Sequence, residues 1–255
     1  VHNFFFTPYG GMDITGLPLP TWLDLSAVIV GALAGVFAAR QRKLDLVGYV
    51  GLAMICGLGG GLIRDTILQK GSVYMMDSPY AIPMAVLTGL IGFFFPGATK
   101  RFSRFYEWVD IVSVSLFAVA GADKAIMFHT SGAAVILLST ITAVGGGMLR
   151  DVFLGEVPQI FRRSNLYAIC SVVGGALYYS TVCMFGVRKL WALIICVFAM
   201  VAMRRWSLKY NVLSPDSIDL SPRASKAIRV VYTAARNEGR RRGETIIKKP
   251  GSHRQ

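Results

Sequence analysis

The chain has 255 residues, is 54% hydrophobic with a mean hydropathy of +0.52, and carries a formal net charge of +13. That apolar content excludes an ordinary soluble domain, and its blocks of about 16–23 residues match a hydrocarbon core about 30 Å thick. The charge lies between those blocks and near the C-terminus with no nucleic-acid reading motif, so nucleic acid is not an expected partner.

Residues 1–21 are rich in Phe, Gly and Pro and lack a basic n-region, so they read as a non-cytoplasmic segment rather than a signal peptide. Seven spans are expected next, at 23–40, 46–68, 79–96, 108–129, 132–154, 165–185 and 188–205. The last is short in uncharged residues, so Lys189 and Arg204 are expected to snorkel toward the interfaces. Trp22, Trp108, Trp191 and Trp206 mark span ends, as interfacial aromatics do. Arg40, Arg42 and Lys43, then Lys100, Arg101 and Arg104, then Arg162 and Arg163 make the odd-numbered loops basic. The positive-inside rule therefore puts those loops and the C-terminus in the cytoplasm and the N-terminus outside. Residues 207–255 form a basic tail, either drawn to anionic membrane lipids or solubilising with no specific partner, with a short helix expected over about Ser221 to Arg236.

The central feature is a repeated string. Gly59-Gly60-Gly61-Leu62-Ile63-Arg64-Asp65 returns 86 residues later as Gly145-Gly146-Gly147-Met148-Leu149-Arg150-Asp151. Without gaps at that offset, residues 24–68 and 110–154 match at fourteen of forty-five positions, Asp24 with Asp110 and Gly35 with Gly121 among them. Tyr80-Ala81 meets Tyr167-Ala168 after a one-residue slip. Three spans per copy is an odd number, so the second copy enters from the opposite side. The expected fold is an all-α polytopic membrane protein of seven transmembrane helices: two inverted three-helix repeats, 22–97 and 98–186, plus one extra helix, 187–206.

Glycine triplets weaken a helix and free its carbonyls, which a membrane tolerates where they line a watery path or are buried in protein. A helix broken there offers carbonyls to a cation; unbroken, it offers close packing. Adjacent helical side chains diverge by about 100°, so Arg64 and Asp65, and likewise Arg150 and Asp151, are expected to pair with neighbouring spans, Asp24 and Asp110 included. Such pairs would serve the ion path or simply hold the ends of the bundle. Asp123-Lys124 is not repeated, its counterparts being Phe37 and Ala38. Lys124 is expected to reach the glycines of the fifth span as an electrostatic barrier, or else to form a structural bridge with Asp123. Ser113, Ser115, Ser139, Thr140 and Thr142 could supply pore hydroxyls or bond back to their own helices. The four cysteines fall in apolar blocks without ligand spacing and the three histidines are scattered, so neither metal nor cofactor is expected. The triplets are not phosphate loops and no nucleophile–base pair is visible, so catalysis is not expected.

The paired GGG-x-x-R-D-x-x-L string, Trp22-Leu23-Asp24, Gly121-x-x-Lys124-Ala125 and Gly155-Glu156-Val157-Pro158 together resemble the prokaryotic branch of the trimeric intracellular cation (TRIC) channel family. The resemblance spans residues 22–206. It implies a homotrimer in a bacterial inner membrane, each subunit with an hourglass pore for K⁺ and Na⁺ lined by glycine-kinked second and fifth helices. The basic residue of the fourth helix maps to Lys124. Some bacterial relatives are considered small-solute transporters, which leaves secondary transport of a neutral solute such as glycine as the alternative.

Overall fold

A computed structural model describes residues 21–95, 106–162 and 166–212. The expectations for the N-terminal segment, for Lys100, Arg101, Arg104 and Arg163, and for nearly all of the basic tail lie outside those residues. The described chain is all-helical. Helix α1 covers Thr21–Gln41, α2 Leu46–Leu68, the single turn α3 Tyr74–Asp77, and α4 Ala81–Phe94. Then follow α5 (Tyr106–Met127), α6 (Gly132–Phe153), α7 (Tyr167–Tyr179), which runs into a π-helical turn at Ser180–Met184, and α8 (Lys189–Lys209). Five are long and apolar enough to cross a membrane: α1, α2, α6, α7 with its π turn, and α8. Helix α4 is apolar but shorter, and α5 has the length yet carries Glu107, Asp110, Asp123 and Lys124. Helix α8, expected to be marginal, extends to Lys209 and at 1.5 Å per residue is about 31 Å long. All four tryptophans are well exposed near helix ends, as interfacial residues should be.

The helices start where local chemistry provides a cap. Asp45 accepts a bond from the Gly48 amide at 2.9 Å, and Ser131 accepts one from Ala134 at 3.3 Å. Each cap satisfies one of the orphan donors of a first turn. Asp45 and Ser131 stand at the repeat offset, so even the caps are duplicated.

Both triplets lie inside unbroken α-helix, which agrees with the close-packing alternative and not with the broken segment. Their work is close approach. A Cβ at Gly60 would run into the Thr142 carbonyl oxygen, and one at Gly146 would stand 2.5 Å from the Cys56 carbonyl oxygen. Similarly, Gly59 faces the Leu149 side chain at 2.7 Å and Gly145 faces Ile63 at 3.2 Å. Adding the offset to one member of each pair and subtracting it from the other converts each contact into its twin. Helices α2 and α6 therefore cross through a local two-fold, their backbones touching because neither has side chains there. Gly61 and Gly147 sit beside the crossing; a Cβ at Gly61 would meet only Arg64 at 3.9 Å, whereas one at Gly147 would stand 3.3 Å from the Tyr167 hydroxyl.

The same reciprocity extends outward. Gly35 packs on the Leu52 carbonyl and Gly121 on that of Leu138; Gly89 packs on Val50 and Ala53, Gly175 on Ile136 and Ser139. Because α4 begins at Ala81 and α7 at Tyr167, the third helices hold the same register. The one-residue slip is unnecessary. All four cysteines are buried free thiols within this packing.

Helix α8 has no twin. Its Met200 sulfur fills the space beside Gly174, and Ala192 and Cys196 are wholly buried against α5 and α7.

Gly60→Ala should therefore cost about 1–3 kcal/mol by overpacking. Gly51→Ala, on the same helix with nothing within 4 Å, should be neutral or stabilise by up to about 1 kcal/mol. Thermal unfolding of the two variants in detergent checks the contrast.

Candidate functional site

Beyond the glycine crossing, each helix ends in a buried Arg-Asp pair, and the two ends are built alike. Arg64 Nε donates to Asp65 Oδ1 at 2.7 Å and Nη2 to Oδ2 at 3.2 Å; Asp65 Oδ2 also accepts the Tyr74 amide at 2.9 Å. At the other end Arg150 Nε donates to Asp151 Oδ1 at 2.9 Å, and Asp151 Oδ2 accepts the Gln159 amide at 2.9 Å. The expectation that these neighbours could not pair is wrong. Their Cβ atoms do diverge, but the guanidinium stem is long enough to fold back across the turn. The cross-helix part holds: Arg64 lies 3.6 Å from Asp24, and Arg150 lies 3.6 Å from Asp110. All four members of the motif pairs are at most 6% exposed. Each guanidinium thus faces two carboxylates, and each motif aspartate also fastens the chain beyond its helix.

The two ends differ in what is added. Lys124 Nζ reaches Asp65 Oδ1 at 2.8 Å and the Ser72 carbonyl at 3.2 Å. It therefore docks on α2, not on the glycines of α6 as expected. Asp123 does not pair with Lys124. Its Oδ1 takes Lys189 Nζ at 2.9 Å and the Tyr178 hydroxyl at 3.0 Å. Lys189 consequently turns inward rather than snorkelling, with its side chain 11% exposed. At the Arg150 end the addition is Tyr106, whose hydroxyl lies 3.0 Å from Arg150 Nη1.

A cavity of about 270 Å³ opens at the Arg64 end, with Asp24, Arg64, Asp77, Asp123 and Lys124 in its wall. Asp77 is exposed and Asp24 partly so. The cleft at the opposite end, between Ile111, Tyr167, Met200 and Arg204, holds about 10 Å³, hardly room for one water. There the Arg204 guanidinium lies 4.8 Å from the Tyr167 ring centroid and Arg205 lies 4.4 Å from that of Trp108. On the outside of the helices, Glu156 bridges Arg42 and Arg162 and so ties the α1–α2 turn to the segment after α6.

The candidate hydroxyls serve the helices. Ser115, Thr140 and Thr142 bond to carbonyls four residues back, and Ser139 bonds across to Ala118 at 2.8 Å, joining α5 to α6. Ser113 is buried.

Tyr106, Tyr178 and the inward Lys189 escaped sequence reasoning as site residues. Tyr106 precedes Asp110 by one helical turn and shares its face, a usable clue. Tyr178, in an apolar helix, offered none.

These features define a helical membrane protein with an internally duplicated, charge-capped helix crossing. A family model described as glycine transporter matches residues 21–96 and 107–183, segments that coincide with the two repeats. The TRIC channel orthologue from Rhodobacter sphaeroides is similar in structure, with a TM-score of 0.69 and 30% identity over 75% of this chain and 97% of that one. Among curated proteins, a membrane protein of Deinococcus radiodurans is 34% identical over 155 residues, 60% of this chain and 72% of the relative. The inner membrane protein YadS of Escherichia coli is 28% identical over 200 residues, 76% of this chain and 96% of that one. The chain belongs to the TRIC channel family.

Arg150→Met would leave Asp110 and Asp151 buried without their cation, at a cost of about 3–5 kcal/mol. Tyr106→Phe, which removes one donor–acceptor contact, should cost about 1–2 kcal/mol. Thermal melts of both variants in detergent should reproduce that order.

Proposed function

We propose that this protein is a monovalent cation channel with one pathway per subunit, passing K⁺ or Na⁺ along α2 and α6 where they cross at the glycine triplets. The observation that carries the reading is the cavity at the Arg64 end. Its wall presents Asp24 and the exposed Asp77 to solvent, while the fixed cations Arg64 and Lys124 are engaged by Asp65. A partly dehydrated mouth lined with carboxylates concentrates cations, since low-dielectric walls focus the field. The similar Rhodobacter sphaeroides protein, a trimeric intracellular cation channel orthologue, agrees with this chemistry.

The reading extends to architecture. The reciprocal contacts at the crossing support two inverted repeats, with α1, α2 and α4 in one and α5, α6 and α7 in the other, and α8 as a seventh span. Subunits assemble as a homotrimer in a bacterial inner membrane, with the N-terminus outside and the basic loops and tail toward the cytoplasm and its anionic lipids. Conduction requires the tightly packed Arg150 end, closed around Tyr106 and Tyr167, to open.

The same cavity favours a second reading. Both signs of charge converge on it and the far end is closed, as in an occluding transporter for a small neutral solute such as glycine.

Planar bilayers under asymmetric KCl decide between the two. Discrete openings reversing near the K⁺ equilibrium potential are expected, and Lys124→Ala should raise unitary conductance roughly twofold by removing a fixed cation at the mouth. A silent bilayer, with proteoliposomes from the same preparation taking up labelled glycine saturably, would replace the channel with the transporter.

A further inference from the structure

We propose that Lys189, the first residue of α8, is a positioning residue: by occupying Asp123 it keeps that carboxylate from drawing Lys124 off Asp65. The arrangement has two carboxylates, Asp65 and Asp123, and two ammonium groups, Lys124 and Lys189. Asp123 and Lys124 are neighbours on α5, diverging by about 100°. Lys124 is seated toward α2, on Asp65 at 2.8 Å and the Ser72 carbonyl at 3.2 Å. Asp123 faces the other way and is held by Lys189 at 2.9 Å and Tyr178 at 3.0 Å. Yet both residues border the same cavity, so an ammonium released from one carboxylate has an open route to the other.

Burial makes the competition steep. Asp123 is 3% exposed and Tyr178 wholly buried, so a bare Asp123 charge would have a single neutral donor for company. A buried carboxylate without a cation recruits one or gives up its charge. Arg64–Asp65 at the adjoining helix end shows that a long cation on a helix can fold onto its sequence neighbour. Lys124 could take the same path to Asp123 once Lys189 is removed.

The seat of Lys189 is itself constructed. The π-helical turn Ser180–Met184 begins two residues after Tyr178, and the Val187 amide closes onto the Thr181 carbonyl at 3.0 Å. That compact corner, with Val182, Cys183, Ala192 and Cys196 packed in one buried cluster, points the start of α8 back at α5. π-Helical turns of this kind recur at functional sites. Nothing in the duplicated repeats corresponds to this corner, since Asp123 has Phe37 as its counterpart and α8 has none. The unrepeated helix thus determines which charges line the cavity at one end only. This inference rests on the channel reading for its effect on current, but the placement of Lys124 is independent of it.

Two measurements test it on the full chain. Lys189→Met should shift the ¹⁵Nζ resonance of Lys124 in labelled protein in micelles. It should also change open probability about fivefold in bilayers. Lys189→Arg should behave as wild type. The deciding variant is the double substitution Asp123→Asn with Lys189→Met. Competition requires it to return both readouts toward wild type, whereas a merely structural ion pair would leave the double variant as altered as the single one. Lys189→Gln carries the same test should Lys189→Met fail to fold. An unchanged Lys124 resonance in the folded Lys189 variants, or no recovery in the double variant, would overturn the proposal. A moved and recovered resonance in a protein that passes no current would uphold the positioning and reject the channel.

Discussion

The backbone contact between α2 and α6 is the constraint on which the other contacts depend. Two helices approach until the space for a Cβ on one is taken by a carbonyl oxygen of the other, at Gly60 against Thr142 and at Gly146 against Cys56. In lipid, where apolar side chains gain nothing by leaving one hydrocarbon for another, such small-residue approach and its dispersion contacts hold helices together. Continuous helix satisfies the triplet's own amides and carbonyls, so the contact needs no unravelled turn. Spacing along each helix then puts Arg64 and Arg150 beyond opposite sides of the crossing, where each meets an aspartate from the opening of its own repeat.

Burying the four motif charges this deeply is tolerable because none is isolated. Each guanidinium has two carboxylates, and each motif aspartate adds a backbone amide from the chain that follows. Replacing such sets by apolar side chains of equal volume is often neutral or stabilising, so their presence alone argues only weakly for stability. Their duplication at both ends, beside a polar cavity at one, is the feature that the channel proposal puts to use.

Much of this was legible from residues alone. The two strings, their offset, Asp24 against Arg64 and Asp110 against Arg150, and the helices themselves followed from pattern and periodicity. The misses share a cause. Helical direction vectors forbade Arg64 from meeting Asp65 because they describe Cβ positions, while the guanidinium sits several bonds farther out. Lys189 read as a snorkelling end residue because nothing local says which way a long side chain turns; its direction is set by Asp123, which lies far away in sequence. The triplets left breaking and packing both open since glycine propensity is a local property, and the tertiary contact that makes them worthwhile is not. Lys124 was assigned to the wrong helix for want of the same long-range information.

The crossing also bears on how the chain is made. Gly60 and its partner Thr142 are separated by 82 residues, and Asp65 waits for Lys124 across 59. When the first repeat has left the ribosome, its helices can cap, and Arg64 can already fold onto Asp65. The groove along α2 stays unfilled until α6 emerges. Contacts so distant in sequence carry a large loop-closure cost and form late. The intramotif Arg-Asp bond, unexpected from helix geometry, therefore keeps Asp65 accompanied during the interval before Lys124 exists.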